Sequence, residues 1–304
     1  MGRRTVSVPR SLRPDGHFSL PDLAQVERVI EAERPGGLVV IPYDNPTGQF
    51  YRQADLVALA RLCVRHGLWM ASDEAYRELS YAGEGPTSIW RLDEAEVPGI
   101  GGRRLSIETA SKVWNACGLR IGALVSDSKA FHDKAVAEYT ANLCANAIGQ
   151  HVFGALAHES HADLQAWYGQ QREYYAGLLK AFTSELHERL PGVIVSSPDA
   201  ALYSVVDVRA LAAPGFDAVD FVKFCARSGG VQVEGRAWTL LVAPMEGFYS
   251  VAPGEPDPGR TQMRVAYVEP PERMALVPRL FAELFTQYER ARAGGRRTSG
   301  SVAG

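Results

Sequence analysis

Cysteine is scarce in this sequence, and its spacing does not suit metal binding. The 304 residues include only four cysteines, Cys63, Cys117, Cys144 and Cys225. No two of them form the Cys-x-x-Cys pair of a zinc site, so we expect buried, reduced thiols and no metal centre. Histidine gives no metal motif either, because His151, His158 and His161 lack the His-Glu-x-x-His pattern.

Long apolar runs and an excess of one charge are also absent. No apolar run reaches the roughly 18 residues needed to cross a bilayer, and the first residues have no hydrophobic signal core. We therefore expect a cytoplasmic protein without a membrane partner. The 32 basic residues are balanced by 35 acidic ones, whereas nucleic-acid binding requires a concentrated positive field. An apolar fraction of 46% excludes disorder as the main state.

Short apolar runs alternate with helical spacing in the first half of the chain. Residues 37–42 and 68–72 are apolar and bounded by turn-forming residues, which is typical of buried strands. Between them, apolar residues recur with helical spacing over 53–66. Strand, helix and strand in this order predict a βαβ unit, and hence a mostly parallel α/β sheet covered by helices.

The pattern changes after about residue 160. Helical spacing extends from about Lys129 to Leu190 with a predicted break near 158–162, and short strands mixed with helices follow Pro191. This mixture is typical of an α+β domain. We predict a partial large domain over 1–160, a smaller α+β domain over 161–292 and a disordered tail over 293–304.

Polar clusters directly follow three of the predicted strands. They are 44–48 (Asp-Asn-Pro-Thr-Gly), 73–76 (Asp-Glu-Ala-Tyr) and 109–112 (Thr-Ala-Ser-Lys), with Gly-Leu-Arg-Ile-Gly downstream at 118–122. Open α/β sheets bind ligands beyond the carboxyl ends of their strands, so we expect these clusters to converge. A buried lysine, a buried carboxylate, hydroxyls and an arginine in one crevice suit an anionic, aromatic cofactor that carries an aldehyde.

These four motifs, in this order, resemble those of the class I and II aminotransferases of fold type I. The spacings also fit, since Asn45 and Asp73 are 28 residues apart (73 − 45) and Lys112 and Arg120 are 8 apart (120 − 112). Each motif alone is more simply a turn, a helix cap or a solvated pair. Together they favour the family, which implies the PLP-transferase fold and pyridoxal 5′-phosphate (PLP) as cofactor.

The resemblance implies a catalytic role for three residues. Lys112 would form the Schiff base with PLP and act as the general base on the path to a quinonoid intermediate, which requires a deprotonated amine. Asp73 would keep the pyridine nitrogen protonated. Tyr76, together with Asn45, would hydrogen-bond the phenolic oxygen of the ring.

The resemblance implies binding roles for further residues. Arg120, Thr109 and Ser111 would hold the phosphate, which a bidentate guanidinium recognises well. Arg264, in a late motif of the small domain, would bind the α-carboxylate of the substrate, and Asn45 would be a second substrate-binding residue. The stretch that follows Lys112, beginning with Trp114, is most simply packing close to the cofactor.

The implied reaction transfers an amino group from an L-amino acid to a 2-oxo acid in a homodimer, and two alternatives stay open. Residues 41–49 and 111–120 are also similar to PLP- and O₂-dependent L-arginine oxidases or hydroxylases of secondary metabolism. The other alternative is an inactive, N-terminally truncated fragment or a binding partner, because the family's first strands and glycine-containing phosphate loop are not visible. In that case we expect weak PLP binding and an exposed apolar sheet surface.

Overall fold

The computed structural model describes residues 4–142 and 145–299. The chain divides into two compact units. The first comprises the described parts of Met1–Arg10, Leu20–Glu173 and Asp199–Ala201, and the second those of Ser11–Ser19, Tyr174–Pro198 and Leu202–Gly304. The boundary predicted near residue 160 lies inside the first unit, because the helix that begins at His161 contributes its first turns to that unit.

The first unit contains a four-stranded sheet. Its strands, in spatial order, are β1 (Gly37–Val40), β2 (Trp69–Asp73), β3 (Arg104–Thr109) and β4 (Gly122–Ser126). The first three strands are parallel to one another, and β4 is antiparallel to β3. The predicted mostly parallel α/β sheet is therefore confirmed.

Several helices accompany this sheet in the first unit. They are α1 (Leu23–Glu33), α2 (Gln53–Arg65), α3 (Lys129–Thr140), α4 (Ala147–Gly154) and the start of α5 (His161–Arg189). The apolar residues of α2 recur at helical spacing, so Leu56, Leu59 and Cys63 share one face. This face packs in a core with Val40 of β1 and Met70 of β2.

The other face of the sheet is open in this chain. Val39, Ile107 and Leu124 expose 74%, 52% and 52% of their surface, respectively. Ile107 pairs with Leu124 across β3 and β4, so these two apolar side chains lie side by side. The expected exposed apolar sheet surface is therefore present.

The second unit mixes antiparallel strands with helices, as predicted. Its sheet has the order β5 (Ile194–Val195), β6 (Tyr203–Asp207), β10 (Gln262–Ala266) and β9 (Ala243–Pro244), and all of its strand pairs are antiparallel. A separate hairpin joins β7 (Val231–Val233) to β8 (Arg236–Trp238). The helices of this unit are the part of α5 from Tyr174 onward, α6 (Ala218–Arg227), α7 (Pro271–Met274) and α8 (Val277–Ser299).

The last helix is longer than the sequence predicts. The segment expected to be a disordered tail, 293–304, is helical up to Ser299, and its remaining residues lie outside the described ranges. Arg292 anchors the helix near this point, because its guanidinium donates to Glu289 at 2.6 Å and to the Pro214 carbonyl at 3.0 Å. No helix in the described ranges is apolar over a length that would cross a membrane.

The cysteines differ in exposure. Cys63 and Cys225 are buried, and burial raises the pKa of their thiols to about 12 and about 11. Cys117 is exposed, which corrects the expectation of a buried thiol, because it begins a 3₁₀ turn in a loop outside the sheet. Cys144 lies outside the described residues.

We expect Phe221 to be essential for the core of the second unit. Its ring is fully buried and contacts those of Phe281 and Tyr288 at centroid distances of 5.8 and 5.5 Å. Phe221→Ala should lower the free energy of unfolding by about 3–5 kcal/mol, because it leaves a cavity between packed aromatic rings. Lys223→Ala, on the exposed side of α6, should change it by no more than about 0.5 kcal/mol. Urea denaturation followed by circular dichroism measures both, and equal losses would contradict the assigned core.

Candidate active site

The loops that carry the predicted site residues leave one edge of the first unit's sheet. Because β1, β2 and β3 are parallel, their carboxyl ends share this edge, where Asn45, Asp73 and Thr109 lie at or beyond the strand ends. The antiparallel β4 begins at Gly122, which pairs with Thr109. Arg120 precedes Gly122 by two residues and so belongs to the same edge. This is the position at which open α/β sheets bind ligands.

Asp73 is the last residue of β2. One carboxylate oxygen accepts a hydrogen bond from the Ala75 N–H at 3.0 Å, which fixes the side chain at the start of the following turn. Three residues later, Tyr76 is almost fully buried. The Lys112 ammonium nitrogen lies 5.9 Å from the centroid of the Tyr76 ring, so the lysine and the tyrosine are neighbours.

The predicted burial of Lys112 and Asp73 is only partly right. Both residues are half-buried, because they lie where strands end and loops begin. Lys112 is held by a turn in which its own carbonyl accepts from the Asn115 N–H at 3.1 Å. The Lys112 amine and the Asp73 carboxylate are therefore accessible to a ligand at this edge of the sheet without any movement of the core.

The hydroxyls of Thr109 and Ser111 form a compact pair. The Thr109 hydroxyl donates to the Ser111 Oγ at 2.9 Å and accepts from the Ser111 N–H at 3.1 Å. The Thr109 hydroxyl also lies 3.3 Å from the Ile121 carbonyl, across the mouth of the loop. The two ends of the 110–121 loop are thus tied together beside Lys112.

Arg120 follows a 3₁₀ turn with a left-handed backbone (φ 53°) and an exposed side chain. Its guanidinium donates to the Cys117 carbonyl at 3.0 Å and makes no hydrogen bond to the hydroxyls of Thr109 or Ser111. Next to it, a Cβ atom on Gly122 would lie 2.5 Å from the Glu108 carbonyl oxygen. Only glycine allows the loop to return this closely to β3.

Asp44 organises the loop that carries Asn45. Its buried carboxylate accepts from the Arg10 guanidinium at 2.7 Å and from the Thr47 N–H at 3.2 Å, and it also accepts from the Thr47 hydroxyl. Asn45 itself is half-buried. Sequence reasoning missed the Arg10–Asp44 ion pair, since the two residues are 34 apart and share no local pattern.

An ionic network around the buried Glu74 links the turn after β2 to β3, and it too was missed. One oxygen of Glu74 accepts from the Ser88 hydroxyl at 2.9 Å and from the Ile89 N–H at 3.0 Å. Arg77 bridges the other Glu74 oxygen, at 3.0 Å, and the Glu108 carboxylate, at 2.8 Å. Burial raises the pKa of Glu74, against the hydrogen bonds and the Arg77 charge that lower it. The three-residue spacing of Glu74 and Arg77 was the available signal.

Arg264 belongs to the second unit and lies in β10. Its guanidinium carbon is 4.6 Å from the Tyr203 ring centroid and 5.0 Å from that of Phe248. Two aromatic faces therefore hold this cation in place within its own unit. The other predicted site residues all belong to the first unit.

Comparison with known proteins agrees with this architecture. The chain is 27% identical over 211 residues to aspartate aminotransferase from Bacillus subtilis, which covers 69% of this chain and 51% of that protein. It is 32% identical over 124 residues to the arginine–pyruvate transaminase of Pseudomonas aeruginosa, which covers 41% of this chain and 29% of that protein. The chain thus spans about half, or less, of the length of these relatives.

Solved structures give the same result for the fold. The N-succinyldiaminopimelate aminotransferase of Mycobacterium tuberculosis superposes with a TM-score of 0.72 over 92% of this chain and 65% of that one, at 21% identity. The family model described as aminotransferase class I and II matches residues 3–241, which is most of the sequence. The chain therefore belongs to the class I and II aminotransferases and has the fold-type I architecture that its motifs predict.

Proposed function

We propose that the protein is a PLP-dependent aminotransferase that transfers an amino group from an L-amino acid to a 2-oxo acid. The main support is the convergence of Asp73, Lys112 and a pair of hydroxyls at one edge of the sheet. Membership of the family adds to it, and the relatives named above are transaminases. These relatives give no support to the oxidase alternative. A homodimer, typical of the family, is part of the proposal.

The donor set at this edge suits PLP. When bound, PLP supplies an electron sink conjugated to the Cα atom of an amino acid. The Asp73 carboxylate would form an ion pair with a pyridinium nitrogen, and the Lys112 amine could react with an aldehyde. Hydroxyls at Thr109 and Ser111 and the guanidinium of Arg120 match a phosphate. Arg120 would exchange its bond to a carbonyl for bonds to the phosphate, which its exposed side chain permits.

Each residue of the site would then have its own role in the reaction. The negative charge of Asp73 holds a proton on the ring nitrogen. With PLP bound, the Lys112 amine would take the proton from the substrate Cα and, as a general acid, would return it to the former aldehyde carbon of the cofactor. Tyr76 and Asn45 donate hydrogen bonds to the phenolic oxygen. Arg264 would bind the substrate carboxylate through two parallel hydrogen bonds.

We expect Lys112 to be the lysine that PLP modifies. After incubation of the chain with PLP and borohydride reduction, peptide mass mapping should find the reduced pyridoxyl group on Lys112, even when binding is weak, because reduction makes the link permanent. Lys112→Ala should lose this label. Lys129→Ala is the matched control, since that lysine is exposed and paired with Asp133. Label spread evenly over the lysines, or retained in Lys112→Ala, would refute the assignment.

Asp73→Asn should slow amino transfer without removing the lysine label. A carboxylate at contact distance would raise the pKa of the pyridine nitrogen by about 1–3 units. Without that charge the ring nitrogen loses its proton, so the half-reaction should slow about ten-fold or more. Pyridoxamine phosphate formed from L-aspartate or L-arginine measures the rate. Asp93→Asn changes an exposed residue elsewhere in the first unit and should leave the rate of pyridoxamine phosphate formation unchanged. A full rate in Asp73→Asn would show that this carboxylate does not serve the ring.

A further inference from the structure

A cavity in the first unit lies beside the loop that follows Lys112. Its volume is about 490 Å³, within the range of small-molecule sites. Trp114 and Leu119 of that loop line one part of it, Phe153 of α4 another, and Trp167 of α5 a third. The proposed transamination does not use this space, although Leu119 belongs to the motif at 118–122.

The wall of the cavity is a cluster of aromatic rings. The Trp114 and Trp167 rings stack at a centroid distance of 5.0 Å with 12° between their planes. Phe153 meets Trp114 edge-on at 5.7 Å, and Tyr168 packs against it at 5.3 Å. Indole rings present the most negative face of any side chain, so such a wall attracts cations as well as apolar groups.

The charged lining residues carry only negative charge. Glu159 and Asp163 line the cavity, and none of its lining residues is basic. Asp163 lies in the first turn of α5, where it meets the positive end of the helix and accepts from the Ser160 hydroxyl at 2.5 Å. Glu159 has no hydrogen-bonding or ionic side-chain partner within residues 4–142 and 145–299, so its charge is available to a ligand.

We propose that this cavity binds a small organic cation with a flat apolar body, such as an aryl amidinium or an arylalkyl ammonium. The body would pack against the two indoles, and the charged end would meet Glu159 and Asp163. A carboxylate ligand would be repelled by both side chains. A neutral aromatic would gain only the apolar contact. The inference does not rest on the proposed aminotransferase activity, because Lys112, Asp73 and PLP take no part in it.

Three probes of one shape separate these possibilities. The full chain is titrated with benzamidine, benzamide and benzoate, and the fluorescence of the cavity tryptophans reports binding. We expect saturable binding of benzamidine, about ten-fold or more tighter than that of benzamide, and none of benzoate. Equal affinity for benzamidine and benzamide would show that the cavity binds the apolar body alone and does not recognise the cation. Absence of saturable benzamidine binding at millimolar concentrations would overturn the site altogether.

Charge-removing variants test the two carboxylates. Glu159→Gln and Asp163→Asn should each weaken benzamidine binding about two- to five-fold, as expected for one exposed charge, and leave benzamide binding unchanged. Glu173→Gln is the control, since it lies exposed on α5 and does not line the cavity. Thermal denaturation confirms that each variant is folded. Unchanged benzamidine affinity in the double variant of residues 159 and 163 would overturn the role of the carboxylates.

Discussion

The register between β2 and β3 is the constraint on which the candidate site depends. Met70 and Ser72 face the side covered by α2 and are almost fully buried, so Asp73 must point to the opposite, open face. In the parallel ladder Asp73 pairs with Ile107, two residues before Thr109. A slip of one residue would exchange the two faces and bury the carboxylate in the core. The packing of the core against one face of the sheet thus determines the direction of the Asp73 side chain at the end of β2.

The Glu74–Arg77–Glu108 network adds to this constraint at a cost. Buried ion pairs lose hydration, so their net contribution to stability is small or unfavourable, and the raised pKa of Glu74 reflects that loss. What the network fixes is geometry. It joins the turn that carries Tyr76 to the strand that leads to Lys112. We infer that its main effect is to hold the separation of these two loops, since loops alone would leave it variable.

Local patterns predicted the parts of the fold that rest on local physics. The spacing of apolar residues located α2, because an amphipathic helix carries its signal in neighbouring turns. Contacts distant in sequence could not be found this way, as the Arg10–Asp44 pair shows. The exposure of Cys117 and the half-exposure of Lys112 depend on where a loop turns away from the sheet, which composition does not encode.

The 110–121 loop contributes side chains to both the candidate active site and the aromatic cavity. Asn115 has a left-handed backbone (φ 50°), a conformation that asparagine adopts more readily than most residues. Its N–H closes the turn on the Lys112 carbonyl. The turn allows Lys112 to lie beside Tyr76 while Trp114, two residues later, stacks on Trp167. A ligand in the cavity would therefore contact the segment that positions Lys112. The short turn from Lys112 to Asn115 is thus the physical link between the candidate active site and the cavity.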